Sequence, residues 1–160
     1  MIIRSAIEFT RDQINSYLRL RLNINEDRVV IDNVVNQQGT LNTTNLSLSL
    51  VNIEEESVHK AQSPYRTTAN GSVNLANPEI KLNLYLLLAA NFGLNYEEAL
   101  LNLSHAITFF QGKQVFNHQN SPALNQQIEK LIVELHTLPF EQQNYIWGCI
   151  GATYIPLCFV

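Results

Sequence analysis

Charge is scarce in this chain. Only 15% of its 160 residues are Asp, Glu, Lys or Arg, against about 25% in a typical globular domain. Apolar residues do not fill the gap, since their 46% share is ordinary. Amides do, with Asn and Gln recurring from Asn15 to Asn144. An amide-rich surface loses less on desolvation than a charged one, so it is easier to bury against a partner. Two readings stay open on that point: a subunit built for assembly, or a genome composition that favours amides.

Basic charge is scarcer still once its pattern is read. The net charge is −4, with a sequence pI near 5.5. Arg4, Arg11, Arg19, Arg21 and Arg28 hold half of the basic residues, but Glu8, Asp12, Glu26 and Asp27 are interleaved with them. Arg4 and Glu8 have the i,i+4 spacing of a helix ion pair. That pattern describes a solvated helix face and lacks the basic patch of a nucleic-acid binder. No nucleic-acid partner is expected.

Cysteine is nearly absent. Cys149 and Cys158 give neither a metal-ligand spacing nor a disulfide framework. One bridge between them is conceivable, and two buried, reduced thiols are expected. Four Asn-x-Ser/Thr sequons, at Asn42, Asn45, Asn70 and Asn102, matter only in a secretory chain. The opening Met1-Ile2-Ile3-Arg4 is unlike a signal peptide, so the cytoplasm is the expected place of assembly.

Long hydrophobic runs are missing too. Residues 82–92 are apolar but short and interrupted by Asn83; residues 146–160 contain Gly148, Gly151 and Pro156. Both fall below the roughly 20 residues of a membrane-spanning helix. The second run reads as a buried helix end followed by a strand. The close at Cys158-Phe159-Val160 looks like a strand cut short, and the sheet is expected to continue past Val160.

What is present is periodic. Ile3, Ala6, Ile7, Ile14, Tyr17 and Leu18 make one apolar stripe, predicting a helix over 2–22. Residues 29–35 are β-branched and predict a strand; 36–44 form a polar turn. Leu46, Leu48 and Leu50 alternate with Ser47, Ser49 and Val51, as in a half-buried strand. Residues 54–77 lack periodicity and predict a long loop, with a short hairpin at Asn70-Gly71 and a reach suited to contacting a neighbour.

From Glu79 the alternation resumes: Ile80, Leu82, Leu84 and Leu86 face one way, Lys81, Asn83 and Tyr85 the other. Because 86–88 are wholly apolar, a central strand is expected. Asn95 with Glu98 reads as a capping box, opening a helix that carries Leu100, Leu103, Ile107 and Phe110 and ends with Gly112 as its cap. A short segment at Val115-Phe116 follows. Leu131, Val133 and Leu135 read as a strand, with a helix as the alternative. Pro139 starts a helix reaching about Cys149, and 154–160 close as a strand. These elements make a single α+β domain over 1–160, with helices packed on a mixed sheet.

Catalytic patterns are lacking. His59, His105, His118 and His136 have no Cys, His or carboxylate partner at a metal-ligand spacing. Glu97 and Glu98 are adjacent on a helix and point apart. Ser104 lies mid-helix and off any nucleophile elbow, and Gly93 stands alone, without a phosphate-binding loop. Neither a cofactor nor an enzymatic activity is expected.

The second half is more specific. Leu82-Asn83-Leu84-Tyr85, Ala90-Asn91-Phe92 and Tyr96-Glu97-Glu98-Ala99-Leu100 are followed by Phe109-Phe110-Gln111 and Asn120-Ser121-Pro122. Asn144-Tyr145-Ile146-Trp147 and Gly151-Ala152-Thr153-Tyr154-Ile155-Pro156 complete the order. This series resembles the N-terminal domain of the cap, or tail-terminator, proteins of phage-tail-like contractile injection systems of the antifeeding-prophage and virulence-cassette type. It covers most of residues 78–158.

The resemblance implies a tail-terminator-like fold and a structural subunit. It also implies a six-fold, hexameric ring that sits on the last inner-tube and sheath rings, stopping polymerisation and holding the sheath. Its motif residues here are Asn83, Tyr85, Asn91, Phe92, Tyr96, Phe110, Pro122, Trp147, Gly151 and Pro156, in core or interface. For Phe92, Tyr96, Phe109, Phe110 and Trp147, core packing is expected. Competing readings are a phage-tail neck or connector protein and a small α+β ligand-binding domain.

Overall fold

The structure, a computed structural model, describes residues 2–35, 45–56, 65–67, 73–75, 81–151 and 154–160, with backbone alone for 65–67 and 73–75. Helix α1 (Ile2–Leu22) has the predicted bounds. Its stripe buries Ala6, Ile7, Phe9, Ile14 and Leu18, and Arg4 Nε meets Glu8 Oε1 at 2.8 Å. Asn23, in the left-handed region at φ 52°, stops it, a backbone state that Asn tolerates better than most side chains.

The chain gathers into two compact units, Met1–Ser49 with Leu86–Val160, and Leu50–Tyr85. A four-stranded mixed sheet runs β1 (Val29–Ile31), β2 (Asn45–Glu55), β5 (Leu82–Asn91), β8 (Leu157–Phe159), in that order. Strand β1 is parallel to β2, with Val29 opposite Leu46. Strand β8 is antiparallel to β5, with Leu88 opposite Cys158. The α+β class and the central place of β5 agree with the sequence reading.

In the larger unit, β5 is buried from Leu86 to Asn91. Leu87 and Ala89 pack with Val34, Trp147 and Phe159; strand alternation puts Leu86, Leu88 and Ala90 on the other face. Burial on both sides is why this run is apolar without a break. Helix α2 (Tyr96–Gly112) packs on α1. Phe9, Phe109, Phe110 and Phe116 join in an aromatic cluster, with Phe9 edge-on to Phe116 at 5.4 Å and Phe109 edge-on to Phe110 at 5.3 Å. Phe116 belongs to β6 (Val115–Asn117), which pairs antiparallel with β7 (Lys130–Ile132). Helix α3 (Phe140–Ile150) ends at Gly151, whose φ of 72° fits the left-handed cap that glycine adopts without strain.

In the smaller unit, the outer parts of β2 and β5 leave Leu50, Val51, Ile53 and Leu82 exposed. The Glu56 N–H donates to the Lys81 carbonyl at 2.9 Å. Strands β3 (Tyr65–Thr67) and β4 (Val73–Leu75) form an antiparallel hairpin.

Several expectations are corrected. The first strand stops at Ile31 and does not reach Val35. Ser47 is buried along with Leu46 and Leu48, so β2 is covered on both faces there, and it runs on to Glu55. Residues 54–77 are therefore no structureless loop, since the end of β2 and the β3–β4 hairpin fall within them. Positions 57–64, 68–72, 76–80 and the predicted turn at 36–44 lie outside the described residues.

On α2 the buried face is Ala99, Asn102, Leu103, Ala106, Phe109 and Phe110, while Leu100 is exposed. Weighting by side-chain size hid the two alanines, which let the helix approach its neighbours. Its cap is Lys113 in extended conformation, one residue past Gly112. The strand expected over 131–135 is cut to Lys130–Ile132 because it pairs only with the short β6, and the final strand is only Leu157–Phe159. Cys149 is exposed and Cys158 half-buried, both free, so the expectation of two buried thiols fails for Cys149.

Candidate functional site

The ten motif residues do not converge on one place. Phe110 is fully buried in the aromatic cluster. Trp147 is buried beside Leu87 and Phe159, with its ring edge-on to Tyr154 at 5.9 Å. Pro156 is buried, and its carbonyl accepts from the Ala90 N–H at 2.8 Å. Gly151 caps α3. Asn91 is buried, and its Oδ1 accepts from the Gly93 N–H at 3.3 Å, shaping the turn between β5 and α2. Asn83 and Pro122 are exposed.

Phe92 is half-buried, with the Arg28 guanidinium 5.9 Å from its ring centre. Arg28 also meets Glu98 at 3.2 Å. Asn95 caps the same turn: its Oδ1 accepts from the Glu98 N–H at 3.2 Å, and its Nδ2 donates to Glu98 Oε2 at 3.0 Å. These contacts fix the start of α2. Tyr96 follows directly and is 58% exposed, so the core reading does not hold for it.

Within the smaller unit, the Tyr85 hydroxyl donates to Glu54 Oε2 at 3.0 Å. That bond to a carboxylate, and then the carboxylate's charge, raise the Tyr85 pKa above its usual value. The pair is exposed, which suits a surface latch better than a reaction centre.

Among the described residues, no group of three or more His, Cys, Asp or Glu side chains could hold a metal ion. Arg28 Nε, Asn102 Oδ1 and Trp147 Nε1 are buried with no hydrogen-bond partner among the described residues. Asn102 is 1% exposed, and its Nδ2 donates to the Glu98 carbonyl; the folded chain cannot offer that sequon for glycosylation. Among the described residues, no helix is long and apolar enough to cross a membrane.

What the surface does offer is uncovered apolar and aromatic area. At the start of α2, Leu94, Tyr96, Leu100 and Leu101 stand exposed, and Tyr96 and Leu100 share one helix face. On α3, Phe140 is 89% and Tyr145 73% exposed, with Tyr154 exposed beyond the helix. Large aromatics left in water are the residue types that anchor protein interfaces. Sequence reasoning missed Leu94, Leu101 and Phe140 as surface groups. Phe140 lies seven residues before Trp147, which helical periodicity would bury; it escapes because it is the first residue of the helix.

No curated protein matches the chain. A family model described as the Pvc16 N-terminal domain matches residues 7–160. This match takes in most of α1 and the whole sheet as well as the motif-bearing second half, and it agrees with the virulence-cassette resemblance, pointing to a component of a phage-tail-like contractile injection system. The chain therefore belongs to the Pvc16 N-terminal domain family.

Proposed function

We propose that this chain is a non-enzymatic cap subunit that terminates the tail of a contractile injection particle. Copies of it form a ring, hexameric to match the tail, that seats on the last inner-tube and sheath rings. The ring ends polymerisation and anchors the far end of the sheath, and it assembles in the cytoplasm. The family match over residues 7–160 carries this reading.

The uncovered aromatic surface supports it. A ring needs a heterologous interface that closes on itself, plus a face complementary to the tube. Low charge and exposed Tyr96, Phe140 and Tyr145 reduce the desolvation cost of forming both. Termination itself needs only asymmetry: one face matches the growing tail, and the other offers nothing on which to add.

The test is tail length. Particles assembled without this chain should show tails of uncontrolled length by electron microscopy, and resupplying the chain should restore one length. Tails of uniform, normal length in its absence would refute the terminator role.

A further inference from the structure

We propose that Asn15 closes the β1 edge of the sheet, so that a second copy of this chain cannot add a strand there. Edge strands carry unpaired peptide groups that template further pairing, and β1 is the end strand of the sheet. The Leu46 N–H donates to the Arg28 carbonyl at 2.7 Å, which puts the carbonyl of Arg28 toward β2. In a parallel ladder the neighbouring peptide groups of Val29 and Ile31 then turn outward.

Both outward groups of Val29 are taken by a single side chain. The Val29 N–H donates to Asn15 Oδ1 at 2.8 Å, and Asn15 Nδ2 donates to the Val29 carbonyl at 2.9 Å. A carboxamide offers the same donor and acceptor as a peptide group, so Asn15 stands where the next strand's backbone would pair. The Arg28 N–H also donates to Oδ1, at 3.0 Å.

Asn15 sits in α1 between the buried Ile14 and Leu18 and is itself 1% exposed. A buried amide in an apolar helix face is costly unless fully bonded, and here it makes three bonds to one edge. Beyond Val29, only Ile31 continues the strand before the exposed Asp32 and Asn33. One open peptide is too short a template, because strands usually need three residues or more. This inference does not rest on the cap reading, since the wild-type chain is its own reference whatever its assembly state.

The test compares full-length wild type with Asn15→Leu, which keeps the side chain's branched shape and heavy-atom count but makes no hydrogen bonds. Light scattering over a concentration series is read beside circular dichroism. The variant should stay folded, and its mass should rise at least two-fold above that of wild type at the highest concentrations. Adding Ile31→Lys to Asn15→Leu places a charge on the opened edge and should return the mass to wild type. A folded Asn15→Leu with the wild-type mass curve overturns the proposal, as does excess mass that Ile31→Lys does not reverse. Should Asn15→Leu fail to fold, Asn15→Asp keeps the acceptor for both N–H groups and frees only the Val29 carbonyl. A smaller rise in mass is expected there, and none would count against the edge-closing role.

Discussion

Helices α2 and α3 are both rich in apolar residues, and they use them in opposite ways. Helix α2 buries six side chains, and its Phe109 finds ring partners in α1 and β6 while meeting Phe110 edge-on. Helix α3 buries only Trp147 and leaves Phe140 and Tyr145 in water. Similar composition thus serves a core in one place and an open surface in the other. Aromatic side chains that the fold does not need are the ones available to a partner.

That comparison can be broken most easily at its core end. Phe110→Ala should destabilise the chain by about 3–5 kcal/mol, the usual cost of deleting a fully buried ring, read by urea unfolding. Phe140→Ala should shift stability by no more than about 0.5 kcal/mol, as surface changes do. Equal losses for the two would erase the distinction between the helices.

A smaller effect is expected where α2 begins. Asn95→Ala removes the acceptor for the Glu98 N–H and should cost about 1 kcal/mol, visible as a lowered thermal midpoint. Helix α3 has no side-chain cap bond at Pro139, so Pro139→Ala should cost less than Asn95→Ala.

The cysteines sharpen the contrast without changing the fold. Cys149, on the open side of α3, should react with a thiol reagent at once, whereas Cys158 should react only on unfolding. Burial pushes the Cys158 thiol from 9.0 up to about 12. The folded state therefore favours its neutral form. That contribution is whole below about pH 9 and is lost as pH rises toward 12, so stability should fall across that alkaline window. A Cys158→Ser variant that keeps the same alkaline loss would show that another group is responsible.

The smallest effect on stability should accompany the largest on assembly. The double change Phe140→Ser with Tyr145→Ser should leave the unfolding curve within about 0.5 kcal/mol of wild type while weakening association with tube or sheath protein in a pull-down. Unchanged association would move the interface away from α3.

Much of the fold was legible because it is local. The α1 stripe, the Asn95–Glu98 cap and the unbroken run through β5 each follow from spacing alone. The end of β2 was misread because Glu54 and Glu55 are polar and exposed, with no buried face to enforce alternation, so the last residues of a strand looked like the start of a loop. The face of α2 was misplaced because Ala99 and Ala106 are small, and their burial depends on what packs against them. Surface exposure was the least legible feature: Tyr96 and Phe140 look like core residues until tertiary packing leaves them out. Asn15 gave no signal at all, since its role depends on Val29, fourteen residues away and held in a strand.

The most direct measurement of the central claim is the mass of the purified chain in solution, by light scattering across a concentration series, with and without inner-tube protein. The cap reading predicts a closed ring, or a smaller species that becomes one when tube protein is added. A monomer whose mass ignores inner-tube protein would contradict it.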